Sequence, residues 1–432
     1  LGAAVAVSLI KIFAGGGGVS ELVDYINVTK ATQIISGILL SVFIAFSVGA
    51  VVQYASRLLL SYNYEQKAIW VGSLFGGFAL TSITYFILMK GIKGTAYAKQ
   101  SFEILNGSTI ANFMETQVLL IAFTSFILLS AISFLLISFF KINIYKIIIG
   151  VGTFSLALAF AGNDLVNFIG VPIAAWQSYE AWSVSGIQAT EFSMEVLATK
   201  VPTPTVLLFL AGMVMVVTLW ISSKAKKVTK TEIDLARQQD TKERFNPNFL
   251  SRNLVRLSMN ISNVTSKVIP EKTQTFIERQ FQKPQIKLAS NKSVDLPAFD
   301  MIRAAVNMMV AAILISIATS FKLPLSTTYV TFMVAMGTSL ADRAWGSESA
   351  VYRVAGVLNV IGGWFFTAFI AFTGCGIIAF LINLGGPTAI AILLFLALIL
   401  LARNYISHRQ ENKQIKNEDA LSSAESSSIQ GV

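Results

Sequence analysis

Residues 117–140 read QVLLIAFTSFILLSAISFLLISFF, an unbroken apolar run without one charged side chain. No soluble helix needs such a run, and about 20 apolar residues cross the hydrocarbon of a bilayer. Further apolar runs fall at 1–14, 31–60, 68–91, 144–161, 204–221, 301–320, 328–341, 354–384 and 387–402. Continuous rather than alternating hydrophobicity predicts helices and excludes an outer-membrane barrel. Composition agrees: 54% of the 432 residues are hydrophobic and 13% charged, about half the charge of a soluble domain. The expected fold class is therefore an all-α polytopic membrane protein.

The net charge of +10 could suggest nucleic acid, but its placement argues for none. Residues 222–298 hold fifteen Lys/Arg against seven Asp/Glu. A basic block between apolar spans is the mark of a cytoplasmic segment. The lone Cys375 excludes an intramolecular disulfide, and the lone His408 leaves no histidine metal site. No nucleophile–base pair, phosphate-binding glycine loop or metal-ligand cluster is present, so an enzyme is not expected, nor a resident cofactor.

The organisation expected along the chain is as follows. Residues 1–91 hold the remainder of a first transmembrane repeat and the span after it. Residues 92–221 hold further spans, 222–298 the basic loop, 299–402 the last spans, and 403–432 a polar, disordered tail. The repeat is read from two matches in the same order. LGAAVA (1–6) aligns with MGTSLA (336–341), and SGILLSVFIAF (36–46) aligns with GGWFFTAFIAF (362–372). Duplicated halves are typical of secondary transporters, whose substrate lies where repeats meet. The chain opens at Leu1 inside an apolar stretch, so a first-repeat counterpart of later motifs is expected upstream of it.

Two polar constellations interrupt the apolar runs. In AFAGNDLVNFIGVPIAAW (159–176), Asn163 and Asn167 are four apart and share a helix face, with Asp164 close to it. Pro172 predicts a broken helix, and broken backbone at membrane depth belongs beside a cavity. An intramembrane carboxylate costs at least about 2.5 kcal/mol, tolerable if a cation such as Na⁺ sits against Asp164 and Asn163. A helix end at the interface, capped by Asn163 or Asp164, is the plainer alternative. In PLSTT (324–328), Pro324 and the hydroxyls of Ser326, Thr327 and Thr328 predict a helix start. Such a start can hold an anion without arginine, or simply cap itself. Asp300, Arg303 and Asn307 read as an ion pair at the membrane edge or a gate. Lys322, Asp342 and Arg343 read as interface anchors.

GNDLVNFIGVPIAA (162–175) resembles the G-A-N-D-V-x-N-A-x-G-P-x-A-A signature of the inorganic phosphate transporter (PiT) family. PLSTTYVTFMVAMGTSLADRAW (324–345) is similar to that family's P-x-S-T-T-H segment. The resemblance implies an inverted-repeat transporter with discontinuous helices, in which a coupling cation, Na⁺ or H⁺, carries inorganic phosphate through the cell membrane. By position, Asn163, Asp164 and Asn167 would line the ion and phosphate site, facing Ser326, Thr327 and Thr328. A homodimer in the lipid bilayer is compatible with it. This chain departs in lacking the alanine before Asn163 and in carrying Tyr329 where histidine is frequent. Tyrosine does not titrate near neutral pH, so no proton relay is expected there. A sulfate permease of the same fold and a non-transporting scaffold or sensor remain as alternatives.

Overall fold

The computed structural model describes residues 1–88, 98, 100–101, 107–188, 191–195, 203–222, 230–231, 233–236, 245–282, 300–321, 323, 325–343 and 349–429. Among the described residues there is no strand, and a single isolated bridge joins Ser101 to Thr109. The longer helices are α1 (Gly2–Ala14), α2 (Val28–Leu60), α3 (Ile69–Ile87), α4 (Val118–Ser138), α5 (Ile144–Ser185), α6 (Thr205–Ile221), α7 (Phe249–Val268), α8 (Glu271–Gln280), α9 (Met301–Ser320), α10 (Thr327–Ala341) and α11 (Ser349–Ile429). Among the described residues, five stretches are long and apolar enough to cross a membrane: Val28–Leu60, Ile69–Ile87, Val118–Ser138, Met301–Ala318 and Ser349–Ser407. The chain is an all-α membrane protein.

Two compact units form, and they do not follow chain order. One joins Leu1–Lys30 to Val360–Val432, and the other is Ala31–Asn359. Within the larger unit, α9 is the buried spine: Ile302, Ala305, Val306, Met309, Val310, Ala312 and Ile315 are all within 1% of full burial. Helices α3, α5 and α10 pack around it, and α4 packs on α3. The α3–α4 contact is made by small residues. Gly76 and Gly77 leave no room for a Cβ against Ser133 and Ser130 of α4. Helix pairs in lipid gain little from hydrophobicity, so close backbone approach through small side chains carries the packing.

Glycine also sets two contacts that resemble each other. A Cβ on Gly337 of α10 would overlap the Phe46 carbonyl oxygen of α2 and lie 3.1 Å from the Ala50 nitrogen. In the other unit, a Cβ on Gly2 of α1 would overlap the Phe372 carbonyl oxygen of α11. There Gly376 lies across from Gly2, its missing Cβ 3.4 Å from the Gly2 oxygen.

The break expected at 162–172 is not seen. Helix α5 continues through Pro172 to Ser185. A proline removes one hydrogen bond and crowds the carbonyl four residues back; the turns on either side carry this helix past it. Its 42 residues span about 63 Å at about 1.5 Å per residue, twice the hydrocarbon thickness. The non-helical residue lies elsewhere, at Gly386 inside α11, with φ 52° and ψ −138°. That conformation suits only glycine, and Pro387 follows it. It falls between the apolar runs expected at 354–384 and 387–402. The backbone of 403–429 continues as helix.

Candidate functional site

Ser326 is the N-cap of α10, its Oγ accepting from the Tyr329 N–H at 3.4 Å. Capping satisfies one of the helix's orphan donors. The three hydroxyl residues divide by exposure: Thr327 is buried, Thr328 exposed and Ser326 between them. Thr331, one turn on, donates to the carbonyls of both Thr327 and Thr328 at 3.1 Å. The helix start expected at PLSTT is therefore present, with Ser326 as its cap. Pro324 and Lys322 lie outside the described residues.

The backbone of Asn163, Asp164 and Asn167 is helical within α5, and their side chains lie outside the described residues. Their level in the unit follows from backbone accounting. The start of α5 is tied to the starts of its neighbours: Asn143 Nδ2 donates to the Met301 sulfur at 3.7 Å, and the Tyr145 ring meets Tyr64 at 4.7 Å. Asp164 lies twenty residues further, about 30 Å along the helix. Helix α10 runs the other way and ends beside the start of α9, where Asp342 shares an arginine with Asp300. Its start at Thr327 is fifteen residues back, about 23 Å away. Helices α5 and α10 touch, so the two motifs occupy neighbouring levels, both far from that end.

At that near end lies a charged network the sequence reading did not assemble. Arg57, near the end of α2, is fully buried and grips two carboxylates at once. Its Nη1 and Nη2 reach Asp300 at 2.8 and 3.0 Å, and its Nε and Nη2 reach Asp342 at 2.7 and 2.8 Å. Nη1 also donates to the Ser61 carbonyl at 3.2 Å, and the guanidinium lies 3.7 Å from the Tyr62 ring centroid. Tyr62 donates to the Asp342 carbonyl at 3.1 Å. Burial, reinforced by the Asp342 carboxylate, pushes the Tyr62 phenol well above its usual range, so it stays protonated.

Two sequence expectations are corrected here. Asp342 is not an interface anchor but has no exposed surface, because a carboxylate with two charge-assisted bonds tolerates burial. Asp300 does not pair with the Arg303 side chain. It accepts from the Arg303 backbone N–H at 3.1 Å, as an N-cap does, and turns its charge to Arg57. Arg303 instead donates to the Ala236 carbonyl at 2.7 Å, joining the basic block to this end of the bundle. Asn307 accepts from the Thr338 hydroxyl at 2.6 Å, tying α9 to α10. The missed signal was Arg57 itself, since a charge inside a candidate span is a partnered or functional residue by default.

A separate groove of about 940 Å³ opens between α3, α4 and α9. Among the described residues, Phe78, Phe123, Phe126, Ile313 and Phe321 line it, together with the charged Glu115. Comparison of the chain with family models, with curated proteins and with solved structures gave no match.

Proposed function

We propose that this protein is a cation-coupled inorganic phosphate symporter of the inverted-repeat type, with Na⁺ or H⁺ as the coupling ion. The observation that carries the reading is the neighbouring levels of GNDLVN on α5 and STT at the start of α10, on helices that touch. Asp164 would supply the fixed negative charge for the cation, assisted by the amide oxygens of Asn163 and Asn167. The bound cation, the amide N–H groups, the hydroxyls of Ser326, Thr327 and Thr328 and the α10 N-terminus would hold the anion. Neither motif contains Lys or Arg. That suits transport, because a fixed cation in a low-dielectric site would bind a multiply charged anion too tightly for release.

The two glycine contacts support the repeat. The alignment that pairs Leu1 with Met336 pairs Gly2 with Gly337, and the one that pairs Phe46 with Phe372 pairs Ala50 with Gly376. The same pairs make the two close approaches, Gly2 on Phe372 and Gly337 on Phe46. Each half's short helix thus meets the other half's long helix through an equivalent glycine.

Radiolabelled phosphate uptake into proteoliposomes, with an imposed Na⁺ or pH gradient, tests the function. Gradient-dependent uptake is expected, and Asp164→Asn is expected to abolish it while purified protein yield is unchanged. Uptake by the variant equal to that of the parent removes Asp164 from the cation site. Competition of uptake by equimolar sulfate would identify a broader oxyanion permease.

A further inference from the structure

Helix α7 is bound to the protein by one face and bare on its greasiest one. Asn248 starts it, accepting from the Ser251 N–H at 2.8 Å while its own N–H donates to the Ser251 hydroxyl at 3.1 Å. Ser251 and Val255, four residues apart, are buried. Val255 lines a cleft shared with Val351 and Tyr352 at the start of α11, and Arg252 and Arg256 border the same cleft. Leu250, Leu254 and Leu257, at spacings of four and three, form a second stripe about 120° round the helix. They remain 60%, 45% and 56% exposed, and Phe249 at the helix start is 77% exposed. A third face carries Arg252, Arg256 and Lys267, all exposed. From Phe249 to Val268 there is no acidic residue.

The level of this helix is fixed by its neighbours. Helix α8 follows it and ends at Phe281, whose ring lies 5.3 Å from that of Tyr54 on α2 and 4.8 Å from the Arg343 guanidinium just past α10. Its cleft partners open α11. So α7 and α8 lie at the end of the bundle where α2 and α10 stop and α9 and α11 begin, the level at which spans leave hydrocarbon.

We propose that α7 is an interfacial helix. Its Leu250–Leu254–Leu257 stripe dips into the acyl boundary of an anionic lipid surface, and Arg252, Arg256 and Lys267 meet the headgroups. A leucine stripe left in water would be an association liability, and a second copy of the helix would bring like cations together. An anionic bilayer surface satisfies both features, as it does for amphipathic helices with basic flanks. The inference stands on the membrane character of the chain and not on the identity of any transported solute.

The test uses the full chain in lipid vesicles. Cys375, the sole cysteine, is replaced (Cys375→Ser), and nitroxide labels are placed by Leu250→Cys, Leu254→Cys, Leu257→Cys, Arg252→Cys and Arg256→Cys, one at a time. Collision rates with oxygen, which partitions into lipid, and with a water-soluble nickel chelate are then compared. In phosphatidylcholine vesicles containing phosphatidylglycerol, the oxygen-to-nickel ratio is expected to be several-fold higher at the three leucine positions than at the two arginine positions. Equal nickel accessibility at all five overturns the proposal, and so do leucine-site labels shielded from both reagents, which would mean a second copy. The double variant Arg252→Gln/Arg256→Gln, labelled at Leu254→Cys, checks the charge. The ratio should fall toward that in pure phosphatidylcholine, and an unchanged ratio overturns the anionic part of the assignment.

Discussion

The two polar regions of the larger unit are built on opposite principles. At one end, Arg57 holds Asp300 and Asp342 through four hydrogen bonds, and helices α2, α9 and α10 converge on it. Its charges are fixed and paired, with Arg57 and Asp342 fully buried and Asp300 partly so. The two motifs themselves hold hydroxyls and amides with one carboxylate, Asp164, and no cationic side chain. A region that must hold helices together gains from permanent opposite charges that no solute can displace. A region that must bind and release a charged solute needs its counter-charge to arrive and leave with that solute. The same chemistry, a carboxylate in a mostly apolar chain, is thus structural in one place and proposed as functional in the other.

The largest test of that contrast is Arg57→Met. Removing the shared partner leaves two carboxylates against each other, and breaking a buried ion pair costs about 3–5 kcal/mol. Loss of monodisperse protein, or a steep fall in thermal unfolding temperature in detergent, is the expected outcome. Asp164→Asn should leave the same temperature unmoved, and a comparable fall there would erase the distinction. Arg57→Met combined with Asp342→Leu and Asp300→Asn should recover much of the loss, because an apolar replacement of a whole buried pair is often neutral.

An intermediate effect probes the paired glycines. Gly337→Val places side-chain atoms on the Phe46 carbonyl, and overpacking of this kind costs about 1–3 kcal/mol. Gly2→Val should destabilise to a similar degree, measured by the same thermal scan. A neutral Gly2→Val beside a damaging Gly337→Val would break the equivalence of the two contacts.

The smallest effect is expected at the cap of α10. Ser326→Ala removes the bond to the Tyr329 N–H and should cost about 1 kcal/mol. Ser326→Asp preserves a cap acceptor and should restore stability, while adding a negative charge where the proposed anion binds. Restored stability with lost phosphate uptake would sharpen the comparison, whereas full uptake by Ser326→Asp would take Ser326 out of the anion site.

Much of the helix map was legible in the residues. The runs 117–140, 204–221, 301–320 and 328–341 become Val118–Ser138, Thr205–Ile221, Met301–Ser320 and Thr327–Ala341, since a charge-free run and a Ser-Thr-Thr start are local signals. The expected runs 354–384 and 387–402 part around Gly386, where glycine followed by proline leaves few conformations. Pro172 misled for a related reason. A proline weakens a helix locally, but whether the helix ends depends on what packs around it, and α5 is held on α3 and α9.

The charges were the least legible part. Asp342 and Arg343 are adjacent and read alike as anchors, yet Asp342 is buried and Arg343 lies over Phe281. Nothing local distinguishes them. The partner of Asp342 is 285 residues away, and a partner at that separation exists only once the chain has folded.

By itself, then, the sequence determined that the chain is helical, that it belongs in a membrane, and where polar residues interrupt its apolar runs. Those properties follow from hydropathy, periodicity and backbone restriction, which act over a few residues. Only the tertiary structure decided which buried charges neutralise each other, which glycines admit a neighbouring backbone, and which face of α7 stays bare. Each of these depends on contacts between segments far apart in sequence, and the energy of a buried charge is set by what lies beside it in space.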